Sequence, residues 1–303
     1  MPDSLRIWQR PALEQPVLIA AFRGWNDGAQ GATIAVGYLT QSWKANRFAE
    51  IDPEEFYDFQ ATRPTVTLTH GLTRRIDWPE NAFHHARVPG LDRDAVVLQG
   101  IEPSLRWRTF TGLVVSLARE LGVELVVTLG ALLADVPHTR PAPVTGTASD
   151  ADLAETLGLQ ASRYEGPTGI VGVLHDACRA SGLRSVSLWA AVPHYVSLTP
   201  SPRAALALCK RLESLLVGTF ELAELEQATA EYERQVSEAV ASDADTAAYV
   251  DDLERRSDVL EPDAELPTGE SLAAELARFL REREEGDEGG TTGPEPGLGG
   301  PGR

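Results

Sequence analysis

The sequence predicts an α/β protein, a central mixed sheet flanked by helices, with a helical extension at its C-terminal end. Two observations predict the sheet. Residues 17–22, 95–98, 124–129 and 186–192 are nearly continuous apolar runs without polar alternation, the mark of strands covered on both faces. After most of these runs the apolar residues recur at helical spacing, and alternating strands and helices build a parallel or mixed sheet. The extension rests on a third observation, a change of texture near residue 220. Residues 1–220 carry 22 acidic and 20 basic side chains, whereas residues 221–303 carry 23 and 7.

In chain order, the strand at 17–22 runs into Arg23-Gly24-Trp25-Asn26-Asp27-Gly28, and a helix follows over 29–43. Short extended pieces stand at 47–51, 65–69, 74–77 and 83–88. The strand at 95–98 precedes a helix over 106–121 with Gly122 at its C-terminal cap. The strand at 124–129 ends at Gly130-Ala131 and gives way to the proline-rich loop 137–143. A short helix is expected at 150–157. Gly166-Pro167-Thr168-Gly169 opens a helix that reaches Ser181-Gly182, and the strand at 186–192 follows. Ser201 then caps a helix running to 217, with Pro202 in its first turn.

Leu222, Leu225, Tyr232, Val236 and Val240 form a narrow apolar stripe on a further helix, which packs either on the core or on a partner. Leu272, Leu276, Phe279 and Leu280 mark another helix over 271–285. From Gly286 onward nothing is available to bury, and disorder is expected. The domains so defined are an α/β core at 1–220, an acidic helical extension at 221–285 and a disordered tail at 286–303.

The chain carries a net charge of −18, concentrated in the extension. That charge repels nucleic acid and anionic lipid, so neither is expected as a partner. No apolar run approaches the roughly 20 residues of a membrane span. The first residues show no export signal, and the expected location is the cytoplasm. Cys178 and Cys209 read as two buried, reduced thiols.

Motifs for nucleophile elbows, phosphate loops, zinc proteases and dinucleotide binding are absent, and the six histidines lack ligand spacing. No cofactor or metal is expected. Polar residues do gather where ligand sites form in open α/β sheets, beyond the carboxyl ends of strands. Asn26 and Asp27 either cap a helix or help bind an anion. Glu102 is either a pocket carboxylate or a first-turn acid favoured by the helix dipole. Asp135, His138 and Arg140 put a carboxylate, an imidazole and a guanidinium into one loop, for acid–base work or for bracing it. His194 is a general base or a buried, hydrogen-bonded ring. Arg63 completes the candidate pocket, and the glycines at 166, 169 and 172 serve either a phosphate nest or close helix packing.

Four segments, in this order, resemble the proteasome assembly chaperone 2 family in its actinobacterial form. They are Phe22-Arg23-Gly24-Trp25-Asn26-Asp27-Gly28, residues 130–141, Tyr164-Glu165-Gly166-Pro167-Thr168-Gly169-Ile170 and Val192-Pro193-His194-Tyr195. The resemblance covers residues 15–220 and continues weakly to Leu280. It implies a fold similar to nucleoside phosphorylases, self-association, with trimers the form expected, and proteasome subunits as partners. Eukaryotic and archaeal relatives dock on proteasome α subunits through a C-terminal hydrophobic-Tyr-any tripeptide. This sequence ends Gly300-Pro301-Gly302-Arg303 and lacks it. Contact with α subunits is therefore expected through the folded face or the acidic helices. The resulting expectation is an oligomeric, non-enzymatic protein-binding protein. The alternative is a small-molecule binder or enzyme for a nucleoside or phosphorylated ligand, which requires the strand-end loops to converge on one enclosed site.

Overall fold

A computed structural model of the chain describes residues 4–69, 73–159, 164–196 and 198–259. Residues 164–166 belong to a second unit, and the architecture below is that of the first. Its strands are β1 (Leu5–Ile7), β2 (Val17–Arg23), β3 (Asn46–Ile51), β4 (Thr65–Thr69), β5 (Thr73–Asp77), β6 (Asn81–Arg87), β7 (Asp94–Ile101), β8 (Leu125–Ala134), β9 (Val144–Ala148) and β10 (Ser185–Pro193). Its helices are α1 (Gly31–Ser42), α2 (Trp107–Glu120), α3 (Ala151–Thr156), α4 (Ile170–Ala180), α5 (Pro202–Leu216), α6 (Ala223–Ala241) and α7 (Ala244–Val259).

Among the described residues eight strands form one mixed sheet in the order β1-β3-β6-β7-β2-β8-β10-β9, and β4 pairs with β5 alone. The four central strands, β7, β2, β8 and β10, are parallel, so their carboxyl ends open on one rim of the sheet. Antiparallel strands extend both edges.

β2 shows why the apolar runs become strands. Val17, Ile19 and Ala21 enter the core on one face, with Leu39 of α1 and Leu208 of α5. Leu18, Ala20 and Phe22 enter the core on the other face, with Val114 of α2 and Leu174 of α4. A strand lined on both faces has no place for a polar side chain, so polar residues collect at its ends. α6 buries Leu225, Tyr232 and Val236 and packs on α5. α7 buries only Val250 and Leu253 and packs on α6.

Five elements differ from expectation. β8 does not stop at Gly130-Ala131 but continues through Ala134, in register with Pro193 of β10. Gly130 is there for room: a Cβ at this position would stand 2.5 Å from the Trp189 ring. β1 and β9 are short edge strands without a long apolar run, and α7 is mostly Asp, Glu, Arg, Ala and small polar residues with few apolar positions; none of the three is predicted. The helix expected over 29–43 begins only at Gly31, after a 3-10 turn at Gly28–Gln30. The expected helix over 271–285 and the tail from 286 lie outside the described residues. No described helix is long and apolar enough to cross a membrane.

α1 and α5 meet closely at Gly31, where a Cβ would come 2.7 Å from Cβ of Ala204. Gly112, on the exposed side of α2, has nothing within 4 Å. The same substitution should therefore have opposite effects. Gly31→Ala is expected to destabilise by about 1–3 kcal/mol through overpacking. Gly112→Ala should gain up to about 1 kcal/mol of helix propensity. Urea unfolding of both variants checks the pair.

Candidate functional site

The turn after β2 is fixed first by Asp27. Its Oδ1 accepts from the backbone N–H of Ala32 at 2.8 Å and of Thr33 at 3.3 Å, and its Oδ2 accepts from the Thr33 hydroxyl. The carboxylate thus reaches over the 3-10 turn to cap α1, the capping role rather than the anion-binding one. Burial pushes its pKa up, against the lowering pull of those three donors.

Asn26 and Glu102 form the next layer. Glu102 Oε1 accepts from Asn26 Nδ2 at 2.7 Å and from the backbone N–H of Ile170, the first residue of α4, at 2.9 Å. Its Oε2 accepts from the N–H of Trp25 at 3.1 Å. The N-terminus of α4 would suit a ligand anion, but here the chain's own carboxylate holds it. Gly169 is required because a Cβ there would overlap the Asn26 amide.

The loop after β8 is engaged by other partners. His194 Nδ1 lies 3.0 Å from Asp135 Oδ1, which also accepts from the Tyr249 hydroxyl at 3.2 Å. The Tyr195 hydroxyl accepts the backbone N–H of His138 at 2.8 Å and lies 2.8 Å from its Nδ1. Ser237 Oγ donates to the Glu233 carbonyl, so the His138 Nε2 that stands 3.0 Å away donates to Ser237. This pattern fits a neutral ring, and burial holds the His138 pKa below the usual imidazole value. Arg140 makes a two-pronged pair with Asp258 of α7, both contacts at 2.8 Å, and Thr139 donates to Glu254.

The predicted residues therefore fall into separate bonded groups. Asn26 joins Glu102, Asp135 joins His194, and His138 and Arg140 are covered from α6 and α7. Arg63 joins none of them; it is exposed, ahead of β4. An open groove of about 510 Å³ lies between α5, α6 and residues 141–144, and none of the predicted residues lines it. Among the described residues no acidic, His or Cys group is placed to hold a metal ion.

Sequence reasoning missed Arg203, Ser237, Tyr249, Glu254 and Asp258. Arg203 did carry a signal. A cation in the first turn of a helix opposes the helix dipole, so it needs other partners. Its guanidinium is buried and donates to the carbonyls of Pro137, at 3.0 Å, and of Arg140. The others sit on acidic helices whose solvent-facing pattern hides which side chains turn inward.

Together these features define a class: a mixed-sheet α/β scaffold whose strand-end loops are held by one another and by C-terminal helices. The PAC2 family model matches residues 21–240, and the chain belongs to that family. A PAC2 family protein from Streptomyces avermitilis is 51% identical over 78% of this chain and 99% of its own, with a TM-score of 0.73. A proteasome-assembly chaperone homologue from Mycobacterium tuberculosis is 48% identical over 77% and 99%, with a TM-score of 0.72. An archaeal proteasome activator from Pyrococcus furiosus shares the fold at 18% identity, covering 78% and 97%, with a TM-score of 0.62. No curated protein matches the sequence.

Three outcomes are expected. Glu102→Gln replaces an acceptor-only group by one that cannot accept all three bonds, and should cost about 1.5–3 kcal/mol. Asp27→Ala should cost about 1–2 kcal/mol as a lost cap. Stability should also fall with acid. His84, His138 and His175 are all held below their ordinary pKa by burial. The unfolded chain therefore binds protons first, and their contribution, complete above pH 6.5, is lost as pH falls below it. Urea titrations across that window check the sign.

Proposed function

We propose that this chain is an oligomeric, protein-binding protein of the proteasome-assembly-chaperone type, acting in the cytoplasm without chemistry of its own. The observation that carries the reading is the mutual engagement of the strand-end loops. Glu102 accepts from three donors, and Asp135, His138 and Arg140 are each bonded to neighbouring side chains. Side chains so occupied are poorly placed to turn over a substrate.

The same rim of the sheet leaves large apolar groups in water. Trp25, Leu105 and Leu133, at or beyond the carboxyl ends of β2, β7 and β8, are each at least half exposed. Exposed aromatic and aliphatic side chains of this kind anchor protein partners. The mycobacterial relative, at 48% identity, is described as a proteasome-assembly chaperone homologue, and this points to proteasome α subunits as the partner to test.

Co-sedimentation of the full chain with purified α subunits is the test. Binding is expected, and Trp25→Ser with Leu133→Ser should weaken it about tenfold or more, the loss of one or two anchors. Absence of any complex with the wild-type chain, together with a small molecule co-purifying in stoichiometric amount, would overturn the reading in favour of a ligand-binding protein.

A further inference from the structure

One apolar surface stands outside both cores. Among the described residues β4 and β5 pair only with each other. Val66 faces Ile76 across the ladder, and the two are 58% and 52% exposed. Leu68, two residues along the same face, is 64% exposed, and Trp78 after β5 is 50% exposed. On the other face the polar side chains bond among themselves: Thr67 Oγ1 and Arg75 Nε both donate to Asp77, at 3.0 and 2.7 Å. A two-stranded hairpin is marginal by itself in water, and its apolar face is left for something else to cover.

Charge indicates what covers it. Residues 61–76 carry Arg63, Arg74 and Arg75 and no acidic residue, in a chain of net charge −18. Arg75 is paired with Asp77, but Arg63 and Arg74 make no ion pair among the described residues. Residues 221–259 hold the opposite surplus, with 12 acidic side chains against 3 basic. Glu224 on α6 and Asp245 and Asp251 on α7 are exposed and make no ion pair among the described residues, and exposed alanines, Ala228 and Ala230, interrupt the acids of α6. A basic, aliphatic knob and an acidic, alanine-bearing face complement each other, and every copy of the chain carries one of each.

We propose that the β4–β5 hairpin of one copy docks on the outer face of α6 and α7 of a second copy. The contact joins two different patches, so it is head to tail and closes into a ring when the rotation permits. The inference rests on the oligomeric part of the function proposed above, and names the surfaces that build the oligomer.

Light scattering on the full chain and two charge-reversed variants tests it. One is Arg63→Glu with Arg74→Glu; the other is Glu224→Arg with Asp251→Arg. All four positions are exposed, and circular dichroism verifies the fold. The wild type is expected at a multiple of 32.7 kDa, and each variant alone as a monomer at the same concentration. An equal mixture of the two should assemble again with the two variants alternating, since the hairpin of each is complementary to the helix face of the other, so that a closed ring holds an even number of copies. Combining all four changes in one chain should restore the wild-type mass. Val66→Thr with Ile76→Thr, which keeps strand propensity, should also loosen the assembly at least tenfold. A wild type that assembles while every variant assembles equally overturns the docking and leaves the protein-binding reading intact. A wild type that is monomeric at micromolar concentration overturns the docking and the oligomer together.

Discussion

Glu102 sits where three segments of chain converge, and its carboxylate ties its own segment to the other two. Trp25 and Asn26 bring the end of β2, Ile170 brings the start of α4, and Glu102 itself ends the run of β7. The constraint behind this arrangement is the double burial of the central strands. β2 has core on both faces, so every polar function near it must be met at the strand's end. A carboxylate with three N–H donors meets several such needs at once, and it does so at the place where an open α/β sheet would otherwise receive a ligand. The geometry that supports enzymes of this general architecture is present, and here the protein's own side chain fills it.

The second rim cluster follows a different logic. The loop after β8 is long and proline-rich, and it has little apolar surface of its own. It is held by Arg203 from beneath, through the carbonyls of Pro137 and Arg140, and by α6 and α7 from outside, through Ser237, Glu254 and Asp258. The buried cation of α5 and the acidic helices therefore act on one loop from two sides. The exposed pairs among these contribute little each in water. Their effect lies in fixing which face the loop shows.

The central sheet could be read from the sequence because β2, β7, β8 and β10 are long apolar runs, and helix ends could be read because Asp27 and Ser201 are good caps with Pro202 behind Ser201. β1 and β9 escaped because edge strands need neither length nor an apolar face. β8 was cut short because Gly130 looks like a terminator in sequence and is a packing concession to Trp189 in space. Asn26, Asp27, Glu102, Asp135 and His194 stand just beyond the ends of β2, β7, β8 and β10, whereas Arg63 stands ahead of β4, and the partners of Asn26, Glu102, Asp135 and His194 were hidden in the sequence. Whether Asp135 and Arg140 face a pocket or a neighbour depends on α7, and α7 has only Val250 and Leu253 to announce that it packs at all.

That thin anchoring of α7 has a kinetic consequence. The free energy of opening a segment tracks the apolar surface it buries, and native proteins open in units that differ widely in this respect. β2 can expose its amides only when the two cores separate. α7 can lift from α6 at the cost of two aliphatic side chains and a set of solvent-accessible polar contacts. Amide hydrogen exchange should therefore resolve two populations in one molecule, a slow one in the central strands and a fast one in α7. When α7 is lifted, the Asp135 and Arg140 side chains lose their cover while the sheet beneath them stays folded.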